Sequence, residues 1–133
     1  MNERQRILLV DDDQDMVRVL NRTLKHEGFD TVIVTNSDSA IYLMEKINPD
    51  MVILDEMTPS KESLEVVDQI REHSNVPIIM LTQKYEMDGL QQAFSHGADD
   101  YIRKPIGEKS FVARVRANLR RAGLKTILST IIA

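Results

Sequence analysis

The sequence predicts an α/β fold in which a single parallel sheet of five strands is covered by helices on both faces. Three observations support this prediction. Short apolar runs such as residues 51–54 lack the alternation of a half-exposed strand, which is typical of parallel strands buried on both faces. Longer segments between these runs carry apolar residues at helical spacing. The chain has 133 residues, which is enough for one domain with a substantial core.

The first strand, the first helix and the second strand are delimited by acidic residues and glycine. Residues 6–10 are predicted to form a strand because they are mostly apolar and stop at an acidic run, whose short side chains can cap a helix. That helix is predicted to end at Gly28. Its inner face is predicted to carry Met16, Val19, Leu20 and Leu24. The β-branched run at residues 31–35 predicts the second strand.

Prolines delimit the second helix and the third strand. The second helix is predicted to begin at Ser37 or Asp38 and to stop before Pro49, because a residue that precedes proline avoids helical backbone. The third strand, residues 51–54, ends at Asp55. After a polar loop, a third helix is predicted to bury Leu64, Val67 and Ile70.

The last part of the chain repeats the alternation of strand and helix twice. The fourth strand is predicted at residues 76–81, and the helix after it is predicted to end at Gly97. That helix is expected to bury Met87, Leu90 and Phe94. A short fifth strand is predicted at residues 101–103. The last helix is predicted to place on one face Val112, Val115 and Leu119. Strict alternation implies right-handed crossovers, and we predict the flavodoxin-like strand order 2-1-3-4-5.

Composition excludes several classes of protein. The chain contains no cysteine, so disulfides and thiolate metal sites are excluded and a reducing compartment is permitted. The N-terminus has no apolar signal-peptide core, and no apolar run is long enough to cross a membrane. We therefore expect a cytoplasmic protein without membrane contact. A formal net charge of −4 gives no overall nucleic-acid footprint, and the basic residues near the C-terminus are interpreted as a solvated helix face.

The carboxyl ends of four predicted strands bring charged and hydroxyl side chains to one edge of the sheet, where ligands bind in open parallel sheets. The residues that we expect to meet there are Asp11, Asp12, Asp55, Thr82 and Lys104. Carboxylates repel one another at short distance and so favour a cation, and hard carboxylate oxygens suit Mg²⁺, with Mn²⁺ as an alternative. The sequence therefore predicts a divalent metal site that can also orient a phosphoryl group.

Asp55 lies centrally on this edge and is the candidate nucleophile, since a carboxylate can accept a phosphoryl group as a mixed anhydride. Lys104 is predicted to pair with one phosphoryl oxygen, and Thr82 is predicted to hydrogen-bond another. Pro105 holds the lysine in a turn, through either a cis or a trans peptide bond.

Four segments of the chain resemble a known family. The receiver domain of bacterial two-component response regulators is similar, in order and spacing, to residues 7–13, 52–59, 77–82 and 97–105. The resemblance covers about residues 5–122. We therefore expect a receiver domain over residues 1–123 and a C-terminal tail or linker remnant over residues 124–133. Three alternatives stay open for this apolar tail: it extends the fifth helix, begins a linker to an effector domain, or ends a single-domain protein.

The resemblance implies a role for each residue at the edge of the sheet. Asp55 would be the phosphoacceptor for a histidine kinase, Lys104 would pair with the phosphoryl group, and Thr82 would be the switch hydroxyl. Tyr101 would be the aromatic residue that turns inward on activation, although simple packing on the sheet explains a tyrosine there equally well. The Mg²⁺ ligands would be Asp11, Asp12, Asp55 and the backbone carbonyl of Met57. The chain would be a regulator rather than an enzyme, apart from self-catalysed phosphorylation and dephosphorylation.

Residues 112–121 further resemble the subfamily of transcription regulators that carry a winged-helix DNA-binding domain. This implies that active receivers pair as a homodimer through helix 4, strand 5 and helix 5, and that DNA is contacted only through an effector domain not present in this chain. The charged residues expected on the pairing face are Asp99, Asp100, Arg114 and Arg121. Leu90 and Ser110 stand where the subfamily usually has a basic and an acidic partner, so one pair across the dimer is missing.

Two other positions depart from the family pattern and keep alternative functions open. Gln83 replaces the small residue that usually follows the switch threonine, and Ser63 replaces a glycine eight residues after the phosphoacceptor. These departures motivate a second hypothesis, a receiver-like interaction module that does not use phosphorylation. A third hypothesis, a Mg²⁺-dependent phosphatase with an aspartyl-phosphate intermediate, is disfavoured because Met57 stands where such enzymes carry a second aspartate.

Overall fold

Five parallel strands form one sheet in the computed structural model, which describes residues 4–11, 13–56, 61–84 and 86–132. The strands are β1 (Arg6–Val10), β2 (Asp30–Val34), β3 (Met51–Glu56), β4 (Ile78–Thr82) and β5 (Asp100–Arg103). They pair in the order β2-β1-β3-β4-β5. The α/β class and the flavodoxin-like order 2-1-3-4-5 are thus confirmed, and the strand ends lie within two residues of those predicted.

Five helices follow the strands in turn. They are α1 (Gln14–His26), α2 (Ser37–Ile47), α3 (Lys61–Arg71), α4 (Met87–His96) and α5 (Glu108–Ile132). Asp13 caps α1 by accepting hydrogen bonds from two backbone N–H groups of its first turn, and Asn36 caps α2 by accepting one. Gly28 and Gly97 follow α1 and α4 with φ angles of +93° and +120°, which glycine adopts without steric cost.

The two faces of the sheet carry separate apolar cores, because alternate residues of each strand point to opposite faces. The face covered by α1 and α5, here called the α1/α5 face, buries strand residues Ile7, Leu9, Met51, Ile53, Ile79, Leu81 and Ile102. The face covered by α2, α3 and α4, here called the α3/α4 face, buries strand residues Leu8, Val34, Val52, Leu54, Ile78, Met80 and Tyr101. Burial on both faces explains why the central strands consist of continuous apolar runs.

The predicted helical period is correct in α1 and α4, but its phase is wrong at three positions. Val19, Met87 and Phe94 were expected inside and are 41%, 67% and 44% exposed. Val17 and Ala93 are buried instead. In α4 the small side chain of Ala93 allows the helix to approach its neighbours closely, which leaves the larger residues on either side of it nearer the solvent. The other predicted inner positions of these helices are buried or partly buried.

The last helix continues well beyond the sheet. α5 runs to Ile132, so residues 124–132 extend the fifth helix, which is the first of the three alternatives for the tail. Within the described ranges, none of the helices combines the length and the hydropathy that crossing a membrane requires.

Candidate functional site

Strand pairing brings two carboxylates together at the carboxyl edge of the sheet. Val10 of β1 lies opposite Leu54 of β3, so Asp11 and Asp55 follow side by side. Asp55 in turn lies opposite Leu81 of β4. By strand alternation, both carboxyl groups belong to the α1/α5 face. The three central strands therefore form one acidic pocket at the predicted edge.

Lys104 adds a positive charge to this pocket. Its backbone N–H donates to the carbonyl of Thr82 at 2.7 Å, which continues the pairing of β4 and β5 past the end of β5. Its ammonium group donates to Asp55 Oδ1 and forms an ion pair with it. The two side chains are only 3% and 0% exposed, so each charge depends on the other for its stabilisation. The Lys104–Pro105 peptide bond is cis, one of the two forms that the sequence allows.

Asp11 holds a second buried carboxyl group beside Asp55. Asp11 Oδ1 accepts a hydrogen bond from the backbone N–H of Asp13 at 2.8 Å. Burial and a hydrogen bond shared with Asp55 raise the pKa of Asp11 to about 8, and the Asp13 amide and the Lys104 charge offset this rise only in part. The environment of the pocket therefore disfavours the charged form of Asp11.

The pocket has acceptor capacity that suits a cation. When both carboxyl groups are ionised, Asp11 Oδ2 and Asp55 Oδ2 are buried and accept no hydrogen bond from any described residue. Buried acceptors without a donor are unfavourable, so a proton or a cation is needed between them. Mg²⁺ commonly uses one or two protein carboxylates and takes its other ligands from water and substrate. The pair of carboxylates therefore fits Mg²⁺.

Two of the four predicted metal ligands can be placed. Asp11 and Asp55 are adjacent, as expected, whereas Asp12 and Met57 lie outside the described residues. In the part of the chain that the structure describes, no group of three or more acidic, histidine or cysteine side chains is arranged to hold a metal. The assignment of the full ligand set therefore stays a prediction.

Thr82 and Tyr101 belong to the opposite face of the sheet. Thr82 continues the alternating row of Ile78 and Met80, which pack in the α3/α4 core together with Tyr101. The Thr82 hydroxyl donates to the carbonyl of Lys84 at 3.2 Å and accepts from its N–H at 3.1 Å. Thr82 thus lies at the predicted edge with the β4–α4 loop as its partner, and the Tyr101 side chain is buried.

Asp100 organises a buried network between β5 and α5. Its carboxylate accepts from Arg114 Nε at 2.8 Å and from Asn118 Nδ2 at 3.0 Å. Arg121 donates in turn to the Asn118 side chain at 2.7 Å. Burial alone would raise the pKa of Asp100, but the hydrogen bonds and the charge of Arg114 outweigh it, and the pKa lies below its ordinary value. Three of the four residues expected on a pairing face are therefore engaged within the chain.

Arg71 joins the end of α3 to the segments that precede β4 and β5. Its guanidinium group donates to the carbonyls of Ser74, Val76 and Gly97. It also pairs with Asp99 at 2.8 Å, so the fourth predicted pairing residue has an internal partner as well. A methyl group on Gly97 would lie 2.9 Å from Arg71 Cγ, so this close approach requires glycine.

The roles of Arg71 and Asn118 were not predicted from the sequence. A basic residue in the last turn of a helix is expected from the helix dipole alone, so no sequence signal distinguishes Arg71. Asn118 lies between Val115 and Leu119 on the predicted inner face of the last helix, and an amide at such a position was an available signal of a buried polar contact.

The structure describes all four positions at which the sequence departs from the family pattern. Ser63 is buried in the first turn of α3, so this position does not need the left-handed backbone that glycine favours. Gln83 is exposed directly after Thr82. Leu90 is partly buried on α4 and Ser110 is exposed on α5.

Known proteins resemble this chain in sequence. A family model described as the response regulator receiver domain matches residues 7–116. The chain is also similar to the DNA-binding response regulators MtrA of Mycolicibacterium paratuberculosis and of Mycobacterium leprae, with 44% identity over 118 residues in each case. The match covers 89% of this chain and 52% of each relative, so the chain spans about half the length of the curated relatives it matches.

Solved structures resemble the chain in fold. The signal receiver domain of a Luxo repressor protein from Vibrio parahaemolyticus superposes with a TM-score of 0.84 at 27% identity, covering 95% of this chain and 98% of that one. The BeF3-activated N-terminal receiver domain of RstA from Klebsiella pneumoniae gives a TM-score of 0.81 at 28% identity, covering 87% of this chain and 99% of that one. A CheY-like receiver domain from Methanospirillum hungatei, at 22% identity and a TM-score of 0.84, supports the fold alone.

Proposed function

The chain belongs to the response regulator receiver domain family, whose members are signalling regulators, and on this premise we propose that Asp55 accepts a phosphoryl group from a histidine kinase. The observation that carries the proposal is the setting of the Asp55 carboxylate. It is buried at the carboxyl edge of the sheet, between the carboxyl group of Asp11 and the ammonium group of Lys104. A nucleophile, a cation and a second acidic group at one point are what phosphoryl transfer to a carboxylate requires.

In the proposed reaction, Asp55 Oδ2 attacks phosphorus because Oδ1 is already bound by Lys104. The new P–O bond forms as the P–N bond of the phosphohistidine breaks, and the leaving imidazole nitrogen keeps the electron pair of that bond and takes a proton from water. Lys104 then pairs with an oxygen of the transferred group. Mg²⁺, held by Asp11 and Asp55 with Asp12 and the Met57 carbonyl, or Mn²⁺ in its place, would neutralise charge on the phosphoryl oxygens. A bound ion would favour the ionised form of Asp11.

The proposed response begins at Thr82. A phosphoryl group on Asp55 adds about −1.5 to −2 charge and three acceptor oxygens, which draw the Thr82 hydroxyl away from Lys84. Because Thr82 lies on the same face of the sheet as Tyr101 and Met80, this movement would displace neighbouring residues of α4 and β5. We propose that the altered surface of α4, β5 and α5 is the output.

The proposed partners follow from the family and from the relatives. A histidine kinase would supply the phosphoryl group, and the names of the relatives describe DNA-binding regulators. We propose that DNA is reached through an effector domain and that pairing through α4, β5 and α5 accompanies activation. Pairing by Asp99, Asp100, Arg114 and Arg121 would require them to exchange the internal partners described above. A cytoplasmic location and self-catalysed dephosphorylation stay predictions.

Incubation with Mg²⁺ and acetyl phosphate, followed by intact-mass measurement, tests the proposal. We expect the parent protein to gain one phosphoryl group, Asp55→Asn to gain none, and chelation of Mg²⁺ to abolish the reaction. Asp38→Asn, which removes an exposed carboxylate from α2, is the matched control and should react like the parent.

Two results would overturn the proposal in different ways. Thermal stabilisation by Mg²⁺ without any phosphorylation would favour the interaction module that does not use phosphate. Release of more than one phosphate per protein from a phosphate ester would favour the phosphatase.

A further inference from the structure

The C-terminal end of α5 carries an apolar stripe that its own domain leaves exposed. The stripe consists of Leu124, Ile127, Leu128, Ile131 and Ile132. These side chains are between 54% and 81% exposed. Their spacing of i, i+3, i+4, i+7 and i+8 places all five on one side of the helix. Isolated exposed apolar residues are common, but a contiguous set of this size marks an interaction surface.

Most of the apolar stripe faces away from the domain to which it belongs. A groove of about 1540 Å³ separates the end of α5 from the loops at the N-terminal edge of the sheet. The groove is lined by Lys125, Thr126 and Ser129 of the helix, and also by Leu128 and Ile132 of the apolar stripe. Leu124, Ile127 and Ile131 do not line it. Three residues of the apolar stripe are therefore directed away from the groove, and the other two lie at its edge, although all five side chains are exposed.

We propose that the apolar stripe pairs with the same stripe of a second copy of this chain. Apolar residues that recur at three- and four-residue steps form the seam of paired helices. When the same surface of two copies pairs across a twofold axis, the result is a closed dimer. Residues 124–132 carry a single charge, Lys125, which lies beside the apolar stripe, so two copies can approach without burying like charges.

The size of the apolar stripe suits a reversible dimer. Two copies together expose on the order of 1,000 Å² of apolar surface there. Specific interfaces begin near this size, and the smaller ones are weak, so we expect a dissociation constant in the micromolar range. The stripe lies outside residues 7–116, which match the receiver family, so this pairing should not depend on phosphorylation.

A lipid surface suits the same residues less well. Helices that lie in a membrane interface typically carry several lysines or arginines on the polar face and aromatic residues on the apolar face. Residues 124–132 contain one lysine and no aromatic residue. Their uncharged polar residues favour a protein partner.

Sedimentation equilibrium from about 5 to about 200 µM, without a phosphodonor, tests the proposal across the expected range of affinity. We expect the parent protein to dimerise and the double variant Ile127→Glu with Ile131→Glu to dimerise at least tenfold more weakly. The double variant Thr126→Glu with Thr130→Glu adds the same charges on the other side of the same helix and should dimerise like the parent. All four positions are exposed, so an unchanged urea midpoint is expected for both variants.

Asp55→Asn separates this proposal from the proposed phosphorylation. It should dimerise like the parent, because the apolar stripe requires no phosphate. The proposal is overturned if the parent stays monomeric at all concentrations, if both double variants dimerise equally, or if dimers form only after phosphorylation. A parent that is monomeric in solution and binds anionic vesicles would assign the stripe to a lipid surface instead.

Discussion

At the scale of single residues, burial of the Asp11 carboxyl group in the pocket lowers the free energy of unfolding. Its pKa is raised from 3.8 to about 8. Between these values the folded chain holds a proton that the unfolded chain has released, so the free energy of unfolding falls as the pH rises through this range. The residue that prepares the pocket for a cation therefore destabilises the protein that lacks one.

We predict that Asp11→Asn stabilises the metal-free protein by about 1 to 3 kcal/mol at pH 8, because an amide lies beside Asp55 without needing a proton. Urea unfolding in the presence of a chelator measures this change. Mg²⁺ should stabilise the parent and have little effect on the variant, which lacks one ligand. Asp15→Asn, at an exposed position in the first turn of α1, should change stability by less than about 0.5 kcal/mol. A variant less stable than the parent at pH 8 would contradict this explanation.

Asp100 should show the opposite dependence on pH. Its pKa in the folded protein is depressed, so the stability that it contributes is present above its unfolded pKa and is lost as the pH falls through the folded value. We expect Asp100→Asn to cost about 1 to 3 kcal/mol at pH 7, below the cost for a fully buried pair because Arg114 is 48% exposed. Urea midpoints of parent and variant at pH 7 and pH 3 test this. A difference that does not shrink at pH 3 would exclude the carboxylate charge as its cause.

At the scale of elements, the two ends of α4 are held differently. At its C-terminal end, Arg71 donates to the carbonyl of Gly97, and His96 Nδ1 lies 2.7 Å from Asp68 of α3. At its N-terminal end, the Glu86 side chain makes no capping hydrogen bond among the described residues. We therefore expect a change in the β4–α4 loop to move the start of α4 more than its end.

Arg71→Ala tests the attachment of α4. We predict a loss of about 2 to 4 kcal/mol in the free energy of unfolding, because three carbonyls lose a donor and Asp99 loses its ion-pair partner. Hydrogen exchange should become faster at the amides of residues 93–99 in particular. Arg71→Lys keeps the charge but not the planar group, so it should recover less than half of the loss. Arg22→Ala, at an exposed position of α1, is the control; equal effects of the two alanine variants would contradict the assignment.

The same helix shows where prediction of elements from sequence fails. The apolar spacing of α4 indicated a helix, and the helix is present, but Met87 and Phe94 were placed on the inner face. A pattern of apolar residues gives most weight to large side chains, whereas the fully buried residue of α4 is the small Ala93. The period of a helix is a property of its own sequence, and its orientation depends on the surface that it meets.

At the scale of the whole molecule, the fold and the location of the site were predictable because both follow from local patterns. Continuous apolar runs indicated the buried strands, and acidic, hydroxyl and basic residues at the ends of those strands indicated the pocket of Asp11, Asp55 and Lys104. The partners of Asp99 and Asp100 were not predictable, because they depend on contacts between α3, α5 and the start of β5. The length of α5 was not predictable either, because its apolar tail suits a helix or a linker equally well.

The division of strand residues between the two faces of the sheet has a consequence for how this domain could transmit a signal. Asp55 and Tyr101 lie on opposite faces of the sheet and on strands that have β4 between them, so their side chains are not in direct contact. A conformational change that begins at Asp55 would then reach the opposite face of the sheet through the carboxyl edge, beyond the ends of the strands. In a domain of this kind few residues take part in transmission, and the rest of the fold holds those residues in position.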